Sequence, residues 1–193
     1  AYIWTDQEVS FVNLKTEQAT IANYEGTISG NTMSHSSFYH IGEDFYFVPS
    51  GLNYYFYRID TKEKKLEPVM YLDFGDAEVK AEGLPGRAGG KRTDSDEERR
   101  EITEDATERY QYLKYSSNML LPLLKFFNDD YVYVYLAKTD RGYGSHFMYN
   151  RKQKKGFLIK EGEPFIMYLC FGIVDNALLS ICEPDFVHRV VDR

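Results

Sequence analysis

The sequence is poor in cysteine, in tryptophan, in uninterrupted apolar runs and in any broad field of positive charge, and each shortage narrows what the chain can be. Only two cysteines occur in 193 residues, Cys170 and Cys182. A hairpin turning at Val174-Asp175 would set them three residues out of register, about 10 Å along a ladder rising ~3.4 Å per residue, so a disulfide is disfavoured and the redox compartment stays open. No stretch approaches the roughly 18 apolar residues of a membrane-spanning helix, and no charged-then-apolar leader opens the chain. It starts at Ala1 rather than Met and enters strand-like sequence at once, which reads as a mature product or a piece of something longer. Residues 94 to 109 hold eight acids against three arginines and so carry −5 of the net charge of −7. The remainder is nearly neutral, which speaks against nucleic acid as a partner.

Catalytic signatures are equally scarce. The histidines His35, His40, His146 and His188 lack metal-ligand spacing, such as a pair one helical turn apart. There is no Gly-x-Ser-x-Gly elbow, phosphate loop or dinucleotide fingerprint, and Gly142-Tyr-Gly144 lacks the further glycine and the helix such a fingerprint needs. The sequence therefore nominates no catalytic residue, no metal and no cofactor.

Aromatic residues are abundant. They make up 16% of the chain, with 17 Tyr and 13 Phe, and fall mostly in short alternating runs that favour strands. A strand-turn-strand signature recurs at Phe11-Val-Asn-Leu-Lys-Thr-Glu-Gln18, Phe56-Tyr-Arg-Ile-Asp-Thr-Lys-Glu63 and Phe147-Met-Tyr-Asn-Arg-Lys-Gln153. Aligning Leu14, Ile59 and Tyr149 gives offsets of 45 and 90 residues, one and two periods of a four-stranded propeller blade. Turn chemistry then divides the chain. A partial unit has strands at 1 to 5, 8 to 14 and 19 to 24, read as the last three of a blade. A complete unit follows at 37 to 41, 44 to 49, 54 to 60 and 66 to 74, and another at 120 to 127, 131 to 137, 145 to 150 and 155 to 160. A fourth begins at Phe165. The expectation is a single all-β domain over 1–193, built of about three to four propeller-type, four-stranded antiparallel blades. The alternation of Tyr131-Val-Tyr-Val-Tyr135 marks core between blades.

The 76–117 segment interrupts this pattern. Gly83-Leu-Pro-Gly-Arg-Ala-Gly-Gly90 is loop, after which Ser95-Asp-Glu-Glu98 forms a capping box. Ile102, Ala106, Tyr110 and Leu113 then follow one helical stripe. Acids at its start and Lys114 at its end suit the helix dipole, which predicts a surface helix over 96 to 114 inside an inter-blade insertion.

The string Tyr54-Tyr-Phe-Tyr-Arg-Ile-Asp-Thr-Lys-Glu-Lys-Lys65, with Tyr71-Leu-Asp-Phe-Gly75, the insertion bearing Leu84-Pro85 and a fresh aromatic strand pair, resembles the six-bladed β-propeller family of exported proteins in gut-dwelling Gram-negative bacteria. That resemblance implies export to the periplasm or outer membrane, often as a lipoprotein, and six blades. Six blades of about 45 residues need roughly 270, so this chain resembles a C-terminal portion of such a protein.

Loop lengths suggest where a ligand would meet such a disc. The turns Gly42-Glu43, Asn128-Asp129, Thr61 to Lys65 and Arg151 to Lys155 are short and polar. Pro49 to Asn53, Lys138 to Ser145 and the 76–117 insertion are longer and fall on the opposite face, where function usually concentrates. Asn53, Tyr54, Asp140, Arg141, Tyr143 and His146 are the candidate ligand contacts, Arg for its planar donor fork and Tyr for a stacking face with a hydroxyl. The competing reading of Gly142-Tyr-Gly144 is a plain hairpin tip. The expectation is a non-catalytic binding or interaction module of the cell envelope, with a glycan, a peptide or another protein chain as partner. The alternative is a lactonase- or hydrolase-like propeller enzyme using a metal or paired carboxylates. An aromatic cleft without paired acids would favour binding.

Overall fold

The computed structural model describes residues 2–4, 8–24, 37–49, 52–80, 82–86, 95–116, 119–138, 144–160, 170–174 and 177–180. It is mostly β, with one helix among these residues. The first sheet contains β1 (Tyr2–Trp4), β2 (Glu8–Val12) and β3 (Ala19–Asn23). The second contains β4 (Phe38–Ile41), β5 (Asp44–Phe47), β6 (Tyr55–Asp60) and β7 (Lys65–Tyr71). Helix α1 (Asp96–Ser116) follows, then the third sheet of β8 (Leu120–Phe127), β9 (Tyr131–Lys138), β10 (Gly144–Asn150) and β11 (Lys155–Lys160). β12 (Cys170–Val174) and β13 (Ala177–Ser180) form a last hairpin. In every sheet, neighbours in sequence are neighbours in space and all pairing is antiparallel.

Short turns enforce this meander, and three of them are built alike. Asn13 Oδ1 accepts from the backbone N–H groups of Lys15 and Thr16, Asp60 Oδ1 from Lys62 and Glu63, and Asn150 Oδ1 from Gln153. Four residues after each stands a left-handed residue, Glu17, Lys64 or Lys154, with φ near 55°. The side-chain oxygen replaces a backbone acceptor and the left-handed residue turns the chain back, so the strands reconnect in the same register each time. Val12 opposes Ala19, Ile59 opposes Leu66 and Tyr149 opposes Gly156. The aligned residues are therefore Val12, Ile59 and Tyr149, at offsets of 47 and 90 rather than 45 and 90. Leu14 instead lies in the turn and is 76% exposed.

Alternation along the strands gives the second sheet two apolar faces. Tyr57 and Ile59 of β6 join Phe47 against Val9, Phe11 and Tyr24 of the first sheet. Phe56, one residue out of phase, joins Val48 and Leu52 against Phe127, Val132, Val134 and Leu136 of the third. The opposite face of the third sheet gathers Leu124, Phe126 and Tyr133. The first sheet thus lies against the second and the second against the third, with a core between each pair, as expected from the period of two. Pro68 and Pro122 are tolerated because each occupies an edge strand beside a ladder irregularity, where a missing N–H costs least.

Helix α1 begins where its capping box predicts: Ser95 Oγ accepts from the N–H of Glu98 at 3.4 Å. Leu113 is buried and Ile102 half-buried, while the side chains of Ala106 and Tyr110 lie outside the described residues. Arg109 is 1% exposed and its Nε donates to the carbonyl of Pro85 at 3.2 Å, tying the helix to the preceding loop. In the last hairpin Val174 opposes Ala177, which is not the pairing that a turn at Val174-Asp175 would give. Cys170 opposes Ser180, and Cys182 lies outside the described residues.

Candidate functional site

Three of the six nominated contacts are described, and all three are buried. Asn53 is buried beside the entry to β6, where its Oδ1 accepts from the N–H of Tyr55 at 2.8 Å and its carbonyl accepts from Lys125 Nζ at 2.5 Å. Tyr54 is buried next to it. Its hydroxyl donates to the carbonyl of Leu120 at 3.2 Å and accepts from the N–H of Val79 at 2.8 Å, bridging the third sheet and the start of the insertion. Burial pushes its phenol up to about 12. His146, on β10, is buried with Nδ1 2.7 Å from the hydroxyl of Tyr133, and its ring lies 5.3 Å from that of Tyr135. Asn53 and Tyr54 are thus joined to the same part of the third sheet, while His146 belongs to that sheet's other face. Asp140, Arg141 and Tyr143 lie outside the described residues.

Lys125 was not signalled by any motif. It is fully buried in β8, lies 5.8 Å from the Phe56 ring centroid and has the Asn53 carbonyl as its one hydrogen-bond acceptor. Desolvation lowers its ammonium from the ordinary lysine range to about 7. Tyr39, half-buried nearby, donates through its hydroxyl to the Lys125 carbonyl, and desolvation raises its phenol well above the usual tyrosine range.

The feature with the geometry of a binding site is a cleft of about 270 Å³ between the end of β7 and strands β9 and β10. Tyr71, Phe74, Phe147 and Tyr149 line it together with Met70, Leu72 and Val132, and Asp73 is the sole carboxylate among its lining residues. Tyr71 is 43% exposed, yet its position is fixed. The Tyr55 ring backs it at 4.7 Å between centroids and its hydroxyl donates to Glu78 Oε2. That hydrogen bond to Glu78 is the main reason the phenol is held protonated well above its ordinary range, leaving a neutral aromatic face toward the cleft. Glu78 Oε1 also accepts from the N–H of Phe74 at 3.1 Å, so one carboxylate holds two lining residues in place. Tyr54 supports Phe74 from beneath, with centroids 5.8 Å apart. Tyr71 in β7 and Phe147 and Tyr149 in β10 were in view as strand residues, but a strand-borne aromatic reads first as core.

Among the described residues no group of three His, Cys, Asp or Glu side chains comes together to hold a metal, and no helix is long and apolar enough to cross a membrane. No family model matches the chain, and neither a curated protein nor a solved structure does.

Proposed function

We infer that each sheet is one blade of a β-propeller and that the chain is a non-catalytic binding module, taking a glycan or peptide through the cleft around Tyr71 and Tyr149. Propeller architecture is supported by the sequential strand order, the three matched turns and the stacking of the first three sheets one on another. Placement at the cell envelope rests on the resemblance carried by residues 54 to 75. The observation that carries the functional reading is the cleft's lining: four aromatic residues and a single carboxylate. Stacking on sugar or peptide planes needs fixed, partly exposed rings. Hydrolysis by paired carboxylates needs two facing acids, and this cleft supplies one.

The test is an array of glycans and short peptides, followed by titration of the best binder against Tyr71→Ala, Tyr149→Ala and, at the remote turn, Lys62→Ala. Loss of an anchor ring typically costs about 2 kcal/mol or more, so the tyrosine variants should bind roughly 30-fold more weakly and Lys62→Ala normally. Equal binding by all four proteins would remove the cleft from consideration.

A further inference from the structure

The link leaving β7 has a hollow on its other side. It encloses about 240 Å³ between residues 76 to 84 and the end of α1. Its apolar wall is Val79, Leu84, Leu113 and Met119, with Tyr112 beside them. Asp76, Glu78 and Glu82 also line it, against Lys80 alone as a positive group. Asp76 and Glu82 are exposed, whereas Glu78 is half-buried and held by the Tyr71 hydroxyl and the Phe74 N–H. Glu78 therefore links the two: it stands in the wall of this hollow and holds two lining residues of the aromatic cleft.

Size, polarity and charge together define an occupant. Like the aromatic cleft, the hollow is small, and its volume suits a single long side chain. Apolar walls accept methylene groups, and carboxylates at the mouth accept a cation. Lysine and arginine combine those two parts, burying an aliphatic stem while the charged head stays near water. A sugar ring offers neither the long stem nor the positive charge.

We propose that this hollow receives the lysine or arginine side chain of a partner polypeptide whose neighbouring residues lie in the aromatic cleft. The proposal rests on the binding reading given above and narrows the ligand to a basic peptide. The shared link at 71–79 sets the order of recognition, an aromatic or apolar residue on one side and a cation on the other. Screened surface charges contribute modestly one by one, so the cation sets preference and the aromatic cleft supplies most of the affinity.

The test uses hexapeptides with one tyrosine and, two or three positions further on, lysine, norleucine or glutamate, titrated into the protein by NMR. The lysine peptide should bind about tenfold more tightly than the norleucine peptide, the order expected for two partly exposed charge contacts. Asp76→Asn with Glu82→Gln should reduce that preference to about twofold without changing norleucine binding or the unfolding midpoint, and 0.5 M salt should act in the same direction. Equal binding of lysine and norleucine peptides, or a lysine preference that survives the double substitution, overturns the proposal. Glycan binding that depends on Tyr71 with no peptide binding also overturns it, while leaving the binding module intact. Absence of any ligand on array and peptide panel overturns both.

Discussion

Lys125 Nζ lies 2.5 Å from the carbonyl oxygen of Asn53, joining the first strand of the third sheet to the loop that enters β6 across 72 residues of chain. Both partners are buried, desolvation is the cause of the lowered lysine pKa, and among the described residues no carboxylate offsets the charge. A neutral amine can also donate this bond. Protonation therefore adds a desolvation cost without adding an acceptor.

Stability should consequently depend on pH in an unusual direction. The folded-state pKa near 7 lies below the unfolded value of about 10.4, so between them the unfolded chain holds the extra proton and unfolding becomes less favourable as pH rises. Below pH 7 the lysine is protonated in both states and the full penalty is present. From pH 7 to 9 the protein should gain about 2 kcal/mol relative to Lys125→Met, whose own profile lacks this contribution. Tyr39 and Tyr54, with raised phenols, oppose the trend above pH 10 but are common to both proteins. Urea titrations at pH 6, 7, 8 and 9 measure the difference, and parallel profiles would contradict a desolvated Lys125.

Tyr54→Phe isolates the hydroxyl that serves both Val79 and Leu120. Leaving a buried N–H and C=O without that partner should cost about 1–3 kcal/mol. Hydrogen exchange at the Val79 amide should accelerate more than at Val134, which belongs to the same core but not to this bridge. Uniform acceleration at both amides would mean that the hydroxyl does not hold the insertion locally.

Gly144 lies directly beneath an aromatic ring. A Cβ there would stand 2.2 Å from the ring carbon and hydroxyl of Tyr135, so the ring must move. Gly144→Ala should destabilise the protein by about 1–3 kcal/mol and disturb the His146 ring signals, because the Tyr135 ring neighbours that imidazole. In a Tyr135→Ala background the same change should cost much less, with a coupling of about 0.5–3 kcal/mol in a double-mutant cycle. Additive losses would show that the ring is not the obstacle.

The meander was legible because polar turns and period-two alternation are local signals. The strands of the third sheet begin and end within one residue of their expected positions. Helix α1 was legible through Ser95, whose hydroxyl oxygen accepts from the N–H of Glu98. The alignment on Leu14 failed for a definable reason: it matched apolar residues, whereas the repeat is set by Asn13, Asp60 and Asn150 and the left-handed residues four places on. Asn53, Tyr54 and His146 were nominated for their polarity, and the structure shows each of them buried with partners inside the protein. A polar side chain near a loop can satisfy buried backbone as readily as it can meet a ligand, and sequence does not distinguish the two. Lys125, inside Leu123-Leu-Lys-Phe-Phe127, and Arg109, inside an acidic helix, were hidden by their neighbours. Each depends on a carbonyl far away in the chain, Asn53 or Pro85, which no local pattern reveals.

The serial stacking of sheets has a consequence for how such a chain changes length. The second sheet has one core against the first and another against the third, so deleting it would break two interfaces and require a new one between surfaces that never met. Any change of length that touches it has to rebuild two cores at once, so duplication of a whole sheet, which repeats both faces together, is the route that keeps each new contact between faces that already fit.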